Sequence, residues 1–221
     1  MKSDAQLKYD IIEELGWDPS LNAAEVGVIV KNGIVTLTGY VGNYAEKVAV
    51  EHATQRVKGV MGVAQEIKVR LSSLDKREDA DIATAARLAL NWHALLSDTA
   101  VHIKVENGRI ELSGVVEWDY LRKVAEKAVR HLRGVTGIAN HIKVRSRIST
   151  EIIQKNVTHA LARQAVEDAR NLHVSVKGSC LTLEGQLHSL PESLAAQNVA
   201  WSTPGVTEVI NKIKIIPTAS A

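Results

Sequence analysis

The sequence predicts an α+β fold of three tandem small α-β-β-α-β modules, each a three-stranded mixed sheet with two helices on one face. Three observations carry that prediction. A ten-residue segment, Val30-Lys31-Asn32-Gly33-Ile34-Val35-Thr36-Leu37-Thr38-Gly39, returns as Val105-Glu106-Asn107-Gly108-Arg109-Ile110-Glu111-Leu112-Ser113-Gly114. It returns again as Val176-Lys177-Gly178-Ser179-Cys180-Leu181-Thr182-Leu183-Glu184-Gly185. A Gly-Val pair follows in each copy (Gly59-Val60, Gly134-Val135, Gly205-Val206). The spacing from Gly39 to Gly59 is repeated from Gly114 to Gly134 and from Gly185 to Gly205. The first two copies align without a gap at an offset of 75, and the second and third at 71. Register over a whole unit marks duplicated supersecondary structure.

Each element follows from its periodicity. Leu7, Ile11 and Leu15 recur at helical spacing in the first copy. Ile82, Ala86, Ala89 and Leu90 do so in the second, and Ile153, Val157 and Leu161 in the third. Such a stripe predicts an amphipathic first helix. The period then falls to two: Val101, Ile103 and Val105 alternate with His102 and Lys104, as in a half-buried strand. Asn32-Gly33 and Asn107-Gly108 suit a tight hairpin because both residues tolerate positive φ, and Gly178-Ser179 is an acceptable variant. A second strand follows, with Ile110, Leu112 and Val116 on one face and Arg109, Glu111 and Ser113 on the other.

Asn43 with Glu46, and Ser189 with Glu192, have capping-box spacing, and Pro191 fits an early helical position. The second helix of the middle copy carries an apolar stripe of Leu121, Val124, Ala125, Ala128 and Leu132. Gly59, Gly134 and Gly205 are expected to stop these helices. A last strand holds Ile67 and Val69, Ile142 and Val144, or Ile213 and Ile215. The modules are set at 3–71, 78–146 and 148–216, joined by the short linkers Ser72–Arg77 and Arg147–Thr150. Gly39, Gly59, Gly114, Gly134, Gly185 and Gly205 are read as structural glycines.

Composition narrows the function classes. The 221 residues hold 27 Lys+Arg against 25 Asp+Glu, and a net charge of +2 argues against bulk nucleic-acid binding. No apolar run approaches a membrane span. Cys180 stands alone, which excludes an internal disulfide and a cysteine-based zinc site. The opening residues Met1 to Asp10 are charged and lack an apolar signal region, so the expected compartment is the cytoplasm, or the periplasm if the chain is a trimmed mature form.

At the Asn-Gly hairpin, the glycine-ended second strand, the Gly-Val pair, Asn140 or Asn211, and the closing Ile-x-Val or Ile-x-Ile, the chain resembles the BON family. That family is named after osmotically induced periplasmic and nodulation proteins of bacteria, and the resemblance covers residues 3–216. It implies a non-catalytic binding or scaffolding role, with contact to phospholipid under osmotic or envelope stress.

The residues themselves give little catalytic signal. The eight histidines are His52, His93, His102, His131, His141, His159, His173 and His188, and none forms a short ligand pair on one helix. His102 and His173 share a strand position and read as solvated polar residues, the alternative being a metal site across the open sheet face. No phosphate loop or nucleophile elbow is present. No enzyme, metal or cofactor is expected. Cys180 reads as a small filler or an inter-module contact. Trp17 and Trp92 align at the end of the first helix and are expected to serve a core or inter-module role, and Trp201 a core role.

The most suggestive stretch is the second helix of the middle copy. It presents Arg122, Lys123, Lys127, Arg130, His131 and Arg133 opposite its apolar stripe, with Trp118 just before its start. Trp118, Arg122, Lys123, Lys127, Arg130 and Arg133 are therefore candidates for contact with anionic membrane lipid, cations meeting phosphate while the indole settles at the interface. The bland reading is a solvated helix face. Three functions compete: a stress- or envelope-associated binding protein, an oligomeric structural or pore-forming transport assembly that self-associates through open sheet faces and edges, and a cytoplasmic ion or small-ligand sensor.

Overall fold

The computed structural model describes residues 2–19, 21–93, 96, 101–145, 150–163 and 172–216. The side chain of Leu161, expected on a core stripe, and linker residues 147–149 lie outside the described residues. The first module runs α1 (Asp4–Trp17), a 3-10 turn (Ala23–Glu25), β1 (Val26–Lys31), β2 (Ile34–Val41), α2 (Tyr44–Arg56), β3 (Gly62–Gln65) and β4 (Lys68–Val69). The second runs α3 (Asp79–Asn91), β5 (Val101–Glu106), β6 (Arg109–Val116), α4 (Asp119–Arg130) and β7 (Gly137–Val144). The third runs α5 (Thr150–Arg163), β8 (Leu172–Lys177), β9 (Cys180–Leu187), α6 (Leu190–Ser202) and β10 (Glu208–Ile215). The fold is the predicted α+β, three times over.

In each sheet the second strand is central. It pairs antiparallel with the strand before it and parallel with the one after the helix: β1-β2-β3, β5-β6-β7 and β8-β9-β10. Alternation decides which face is buried. Val35, Leu37 and Val41 point inward from β2, Ile110, Leu112 and Val116 from β6, and Leu181, Leu183 and Leu187 from β9. In the third module these close on Ile153 and Val157 of α5 and on Ala196, Val199 and Ala200 of α6, so both helices lie on one face of the sheet.

Hairpin geometry follows the turn residues. Asn32 and Gly33 have φ of 52° and 74°, Asn107 and Gly108 of 53° and 75°, the type I′ arrangement. Gly178 has φ of 63° at the first turn position, as a type II′ turn needs. The first residue of α1 secures its hairpin: Asp4 accepts the N–H of Asn32 at 2.8 Å and of Gly33 at 3.1 Å. Asp79 repeats this on Asn107 and Gly108. Thr150, at the equivalent position, instead donates its hydroxyl to the Gly178 carbonyl at 3.1 Å.

A second repeated latch ties the last strand to the second helix. The amide of Gln65 donates to the Lys47 carbonyl, that of Asn140 to Glu126, and that of Asn211 to the Ser193 hydroxyl. Gln65 and Asn211 also accept the backbone N–H two residues on, from Ile67 and Ile213. In the first module this local bond coincides with a break of the expected single last strand into β3 and β4.

Gly59, Gly134 and Gly205 do not stop the helices. α2 ends at Arg56, α4 at Arg130 and α6 at Ser202, each short of its glycine. Each glycine sits at the third position of a following turn: Val60 N–H bonds Val57 O, Val135 bonds Leu132, and Val206 bonds Thr203. Their φ values of 109°, 88° and 98° are what a type II turn asks at that place, and Pro204 occupies the position it favours before Gly205. Both predicted pairs cap their helices, each carboxylate reaching the N–H just before the N-cap rather than that of the N-cap itself. Asn43 and Ser189 accept the N–H of Glu46 and Glu192, whose carboxylates return to the N–H of Gly42 and His188.

By its internal contacts the chain divides into two compact units. One holds Lys2–Gly114 with Val124–His141, and the other Val115–Lys123 with Ile142–Ala221.

Candidate functional site

α4 forms where the sequence places it, but it ends at Arg130, so His131 and Arg133 lie beyond the helix rather than on its face. Leu121, Ala125 and Val129 form its buried stripe. Trp118 precedes it, two-fifths exposed. Asp119 opens the helix, almost fully buried, where a negative charge meets the positive end of the helix dipole.

The cations of this stretch are largely engaged within the protein. Within the unit that holds the third module, Arg122 pairs with Asp119 and lays its guanidinium over the Trp201 ring, 4.2 Å from the centroid. Lys123 pairs with Asp119 at 3.2 Å and donates to Asn198 Oδ1 at 3.1 Å. Trp201 itself packs half-buried against the third module's core, as expected of it. These contacts join the start of α4 to the end of α6.

Within the other unit, Arg130 pairs with Glu126 at 3.0 Å and is mostly covered. Glu126 and Arg130 act on Tyr44 and His52 of α2. Burial first, then Glu126, raises the Tyr44 phenol, whose oxygen accepts from the Ile138 backbone. His52 keeps part of its surface in water, yet loss of solvent and then Arg130 lower its pKa. Lys127 is exposed, and Arg133, 72 % exposed, stands 3.9 Å from Asp75. The six candidate residues thus do not form one free cationic face. Arg122 and Lys123 reach residues of the third module and Arg130 is paired within its own helix, while Lys127 and Arg133 face solvent.

Other singled-out residues are placed as follows. His102 and His173 point outward from their strands, and among the described residues no three His, Cys, Asp or Glu side chains gather as a metal ion would need. Cys180 lies beside Glu208 of β10, and burial and that carboxylate together push its thiol up, away from a reactive thiolate. Trp17 and Trp92 are not in a core or an inter-module contact. They stand 82 % and 87 % exposed at the ends of α1 and α3. The same helices expose Tyr9 on α1 and Leu88 on α3, each one or two turns back from the indole. Each indole lies two residues past the last core residue, Leu15 or Leu90, about 200° round the helix, so the helical period itself sets it away from the buried stripe.

A family model described as BON domain matches residues 3–70, 78–146 and 149–217. The chain belongs to the BON domain family. The three BON domains share the central second strand, the amide latch and the type II turn. A curated relative, osmotically-inducible protein Y of Escherichia coli (strain K12), is 27% identical over 137 residues. The match takes in 57% of this chain and 65% of that protein, so it spans less than two thirds of the relative's length. Among solved structures, CdsD, a structural protein of the Type III secretion system of Chlamydia trachomatis, is 15% identical. Its match covers 96% of this chain and 93% of that one at a TM-score of 0.28. The periplasmic domain of PrgH from S. typhimurium is 11% identical over 86% of this chain and 99% of that one, at 0.22. Among the described residues no helix is long and apolar enough to cross a membrane.

Proposed function

We propose that this chain is a non-catalytic, stress- and envelope-associated binding protein whose BON domains settle on a phospholipid surface through the indoles of Trp17 and Trp92. The observation that carries this reading is that two aligned tryptophans, one in each of the first two domains, are 82 % and 87 % exposed. Burying a large apolar side chain gains about 1.5–3 kcal/mol, which a fully solvated indole forgoes. An indole, apolar in body with one N–H to satisfy, finds both needs met at the boundary between acyl chains and headgroups. Scattered exposed apolar residues are ordinary, but the same indole repeated at the same helix end is not scattered.

The relative's name, an osmotically-inducible protein, supports the stress setting. Lys127 and Arg133, in the same unit as both tryptophans, supply exposed positive charge for anionic headgroups. Arg122, Lys123 and Arg130 are not assigned to lipid, because each has a protein partner.

Co-sedimentation with phosphatidylglycerol vesicles and with phosphatidylcholine vesicles, at low and high salt, tests the proposal. Binding that falls on Trp17→Ala with Trp92→Ala, and persists in high salt, is the expected result. Binding lost only on Lys127→Glu with Arg133→Glu would return the contact to electrostatics alone. No binding to either vesicle ends the lipid reading.

A further inference from the structure

The sequence contains two Asn-Gly pairs, Asn32-Gly33 and Asn107-Gly108, and both lie in type I′ turns. Such a pair is chemically labile, because glycine has no side chain to shield its nitrogen from the asparagine beside it. That nitrogen attacks the side-chain carbonyl carbon. In the middle domain a bond forms from Gly108 N to Asn107 Cγ, closing a succinimide ring, while the bond from Cγ to Nδ2 breaks. Nδ2 leaves as ammonia, taking up the proton that the glycine N–H gives up. Water then opens the ring at either carbonyl, to aspartate or to isoaspartate, with no oxidant or reductant required.

The fold demands this dipeptide. Positive φ at both turn positions asks for Asn and then Gly. A Cβ on Gly108 would stand 2.6 Å from the Gly134 carbonyl oxygen, and one on Gly33 would stand 2.9 Å from the Met61 sulfur. In both turns the attacking nitrogen is occupied. Gly33 N–H donates to the Asp4 carboxylate at 3.1 Å and Gly108 N–H to that of Asp79 at 2.8 Å. Both glycines are buried, while Asn32 and Asn107 are exposed. A nitrogen bonded to a carboxylate keeps its proton, because the amide anion needed for attack would face a negative charge at contact distance. The carboxylate also accompanies the asparagine. In the third domain the turn is Gly178-Ser179, and the equivalent of Asp79 is Thr150, whose hydroxyl donates to the Gly178 carbonyl instead.

We propose that Asn32 and Asn107 are sites of spontaneous deamidation held off by Asp4 and Asp79. The first residue of each of these helices thus guards the covalent backbone of the hairpin beside it, in addition to securing its position. Isoaspartate would lengthen a two-residue turn by one backbone carbon, and the register of the hairpin depends on that turn.

Incubation of the full chain at mildly alkaline pH, followed by peptide mass spectrometry that resolves the two sites, tests this. The wild-type chain unfolded in urea gives the unprotected rate, and the folded chain is expected to convert far more slowly at both asparagines. Asp79→Ala is expected to speed conversion at Asn107 by roughly tenfold or more, the rate equivalent of one charge-assisted hydrogen bond, and to leave Asn32 unchanged. Asp4→Ala is expected to do the reverse. Leu112→Ala opens a cavity in the core of the middle domain but keeps its carboxylate, and is expected to leave Asn107 near the wild-type rate. Circular dichroism confirms that each variant is folded during the incubation. A folded wild-type chain that converts at the unfolded rate overturns the proposal, as does an Asn107 that is unchanged or slower in Asp79→Ala. So does a rise at Asn107 in Leu112→Ala as large as in Asp79→Ala, or a rise at both sites in either aspartate variant. Opening of the fold, and not the carboxylate, would then set the rate.

Discussion

The Asp79 carboxylate closes on the turn at Gly108, accepting the Gly108 N–H and the Asn107 N–H, both at 2.8 Å. A type I′ turn leaves these donors pointing away from the ladder, and a charged acceptor meets both at once. The first helix is thereby fixed to the hairpin from its own first residue. Replacing Asp79 with Ala is expected to cost about 2 kcal/mol, because two charge-assisted bonds go together. Thr150→Val, which removes one neutral bond, is expected to cost about 1 kcal/mol. Urea unfolding of the two variants compares them directly, and equal losses would contradict the account.

Glycines in this chain divide by what a methyl group would meet. A Cβ on Gly39 would stand 1.9 Å from the Glu25 carbonyl oxygen, at a φ of 106°. Gly39→Ala is therefore expected to lose well over ~2 kcal/mol, from backbone strain and the clash together. Gly16, inside α1, has nothing within 4 Å of the same position. Gly16→Ala is expected to stabilise by roughly 0.5–1 kcal/mol through helix propensity and a less free unfolded chain. Thermal melts of the pair should move in opposite directions.

His52 makes the contact between the first two domains sensitive to acid. Its pKa is lowered in the folded protein from 6.5, by loss of water and by Arg130, with Arg56 adding and Glu51 and Glu126 opposing. The unfolded chain therefore takes up the proton first as pH falls through 6.5. The contribution of His52 to stability is full above that pH and is lost as pH falls toward its folded value. His52→Gln should flatten this dependence between neutral and mildly acidic pH. A variant whose stability still falls as steeply would place the titrating group elsewhere.

Arg122 over Trp201 is a pair that two single substitutions cannot apportion. A double-mutant cycle with Arg122→Gln and Trp201→Leu should give a coupling of about 1 kcal/mol, with the guanidinium partly desolvated against the ring. Arg122→Lys should retain part of it. Zero coupling would mean that the stacking adds nothing beyond the ion pair with Asp119.

Most of the fold can be read from the residues because the fold is local and repeated. Asn-Gly demands its turn, alternation fixes the strand face, and Ser189 with Glu192 caps its helix whatever lies beyond. Gly59, Gly134 and Gly205 mislead for a physical reason: a glycine after a helix is also the third residue of a type II turn, and spacing does not separate the two. The α4 face is harder to read. Arg122, Lys123 and Arg130 look alike in sequence to Lys127. Only the positions of Trp201 and Asn198, in the neighbouring copy of the repeat, distinguish the bound Arg122 and Lys123 from the exposed Lys127. Trp17 and Trp92 err the other way, since repetition of a position says that it matters and not which side of the surface it serves.

The central position of β2, β6 and β9 also sets the order in which a BON domain can assemble. The antiparallel hairpin needs only its two-residue turn, and hairpins form within about 1–10 μs. The parallel partner is separated from that hairpin by the whole second helix, so its pairing must wait for a longer loop to close. Ala53, Ala125 and Ala196, fully buried on that helix, sit at the step where crossover and sheet meet. The parallel pairing, which closes the longer loop of each domain, is therefore expected to form more slowly than the hairpin.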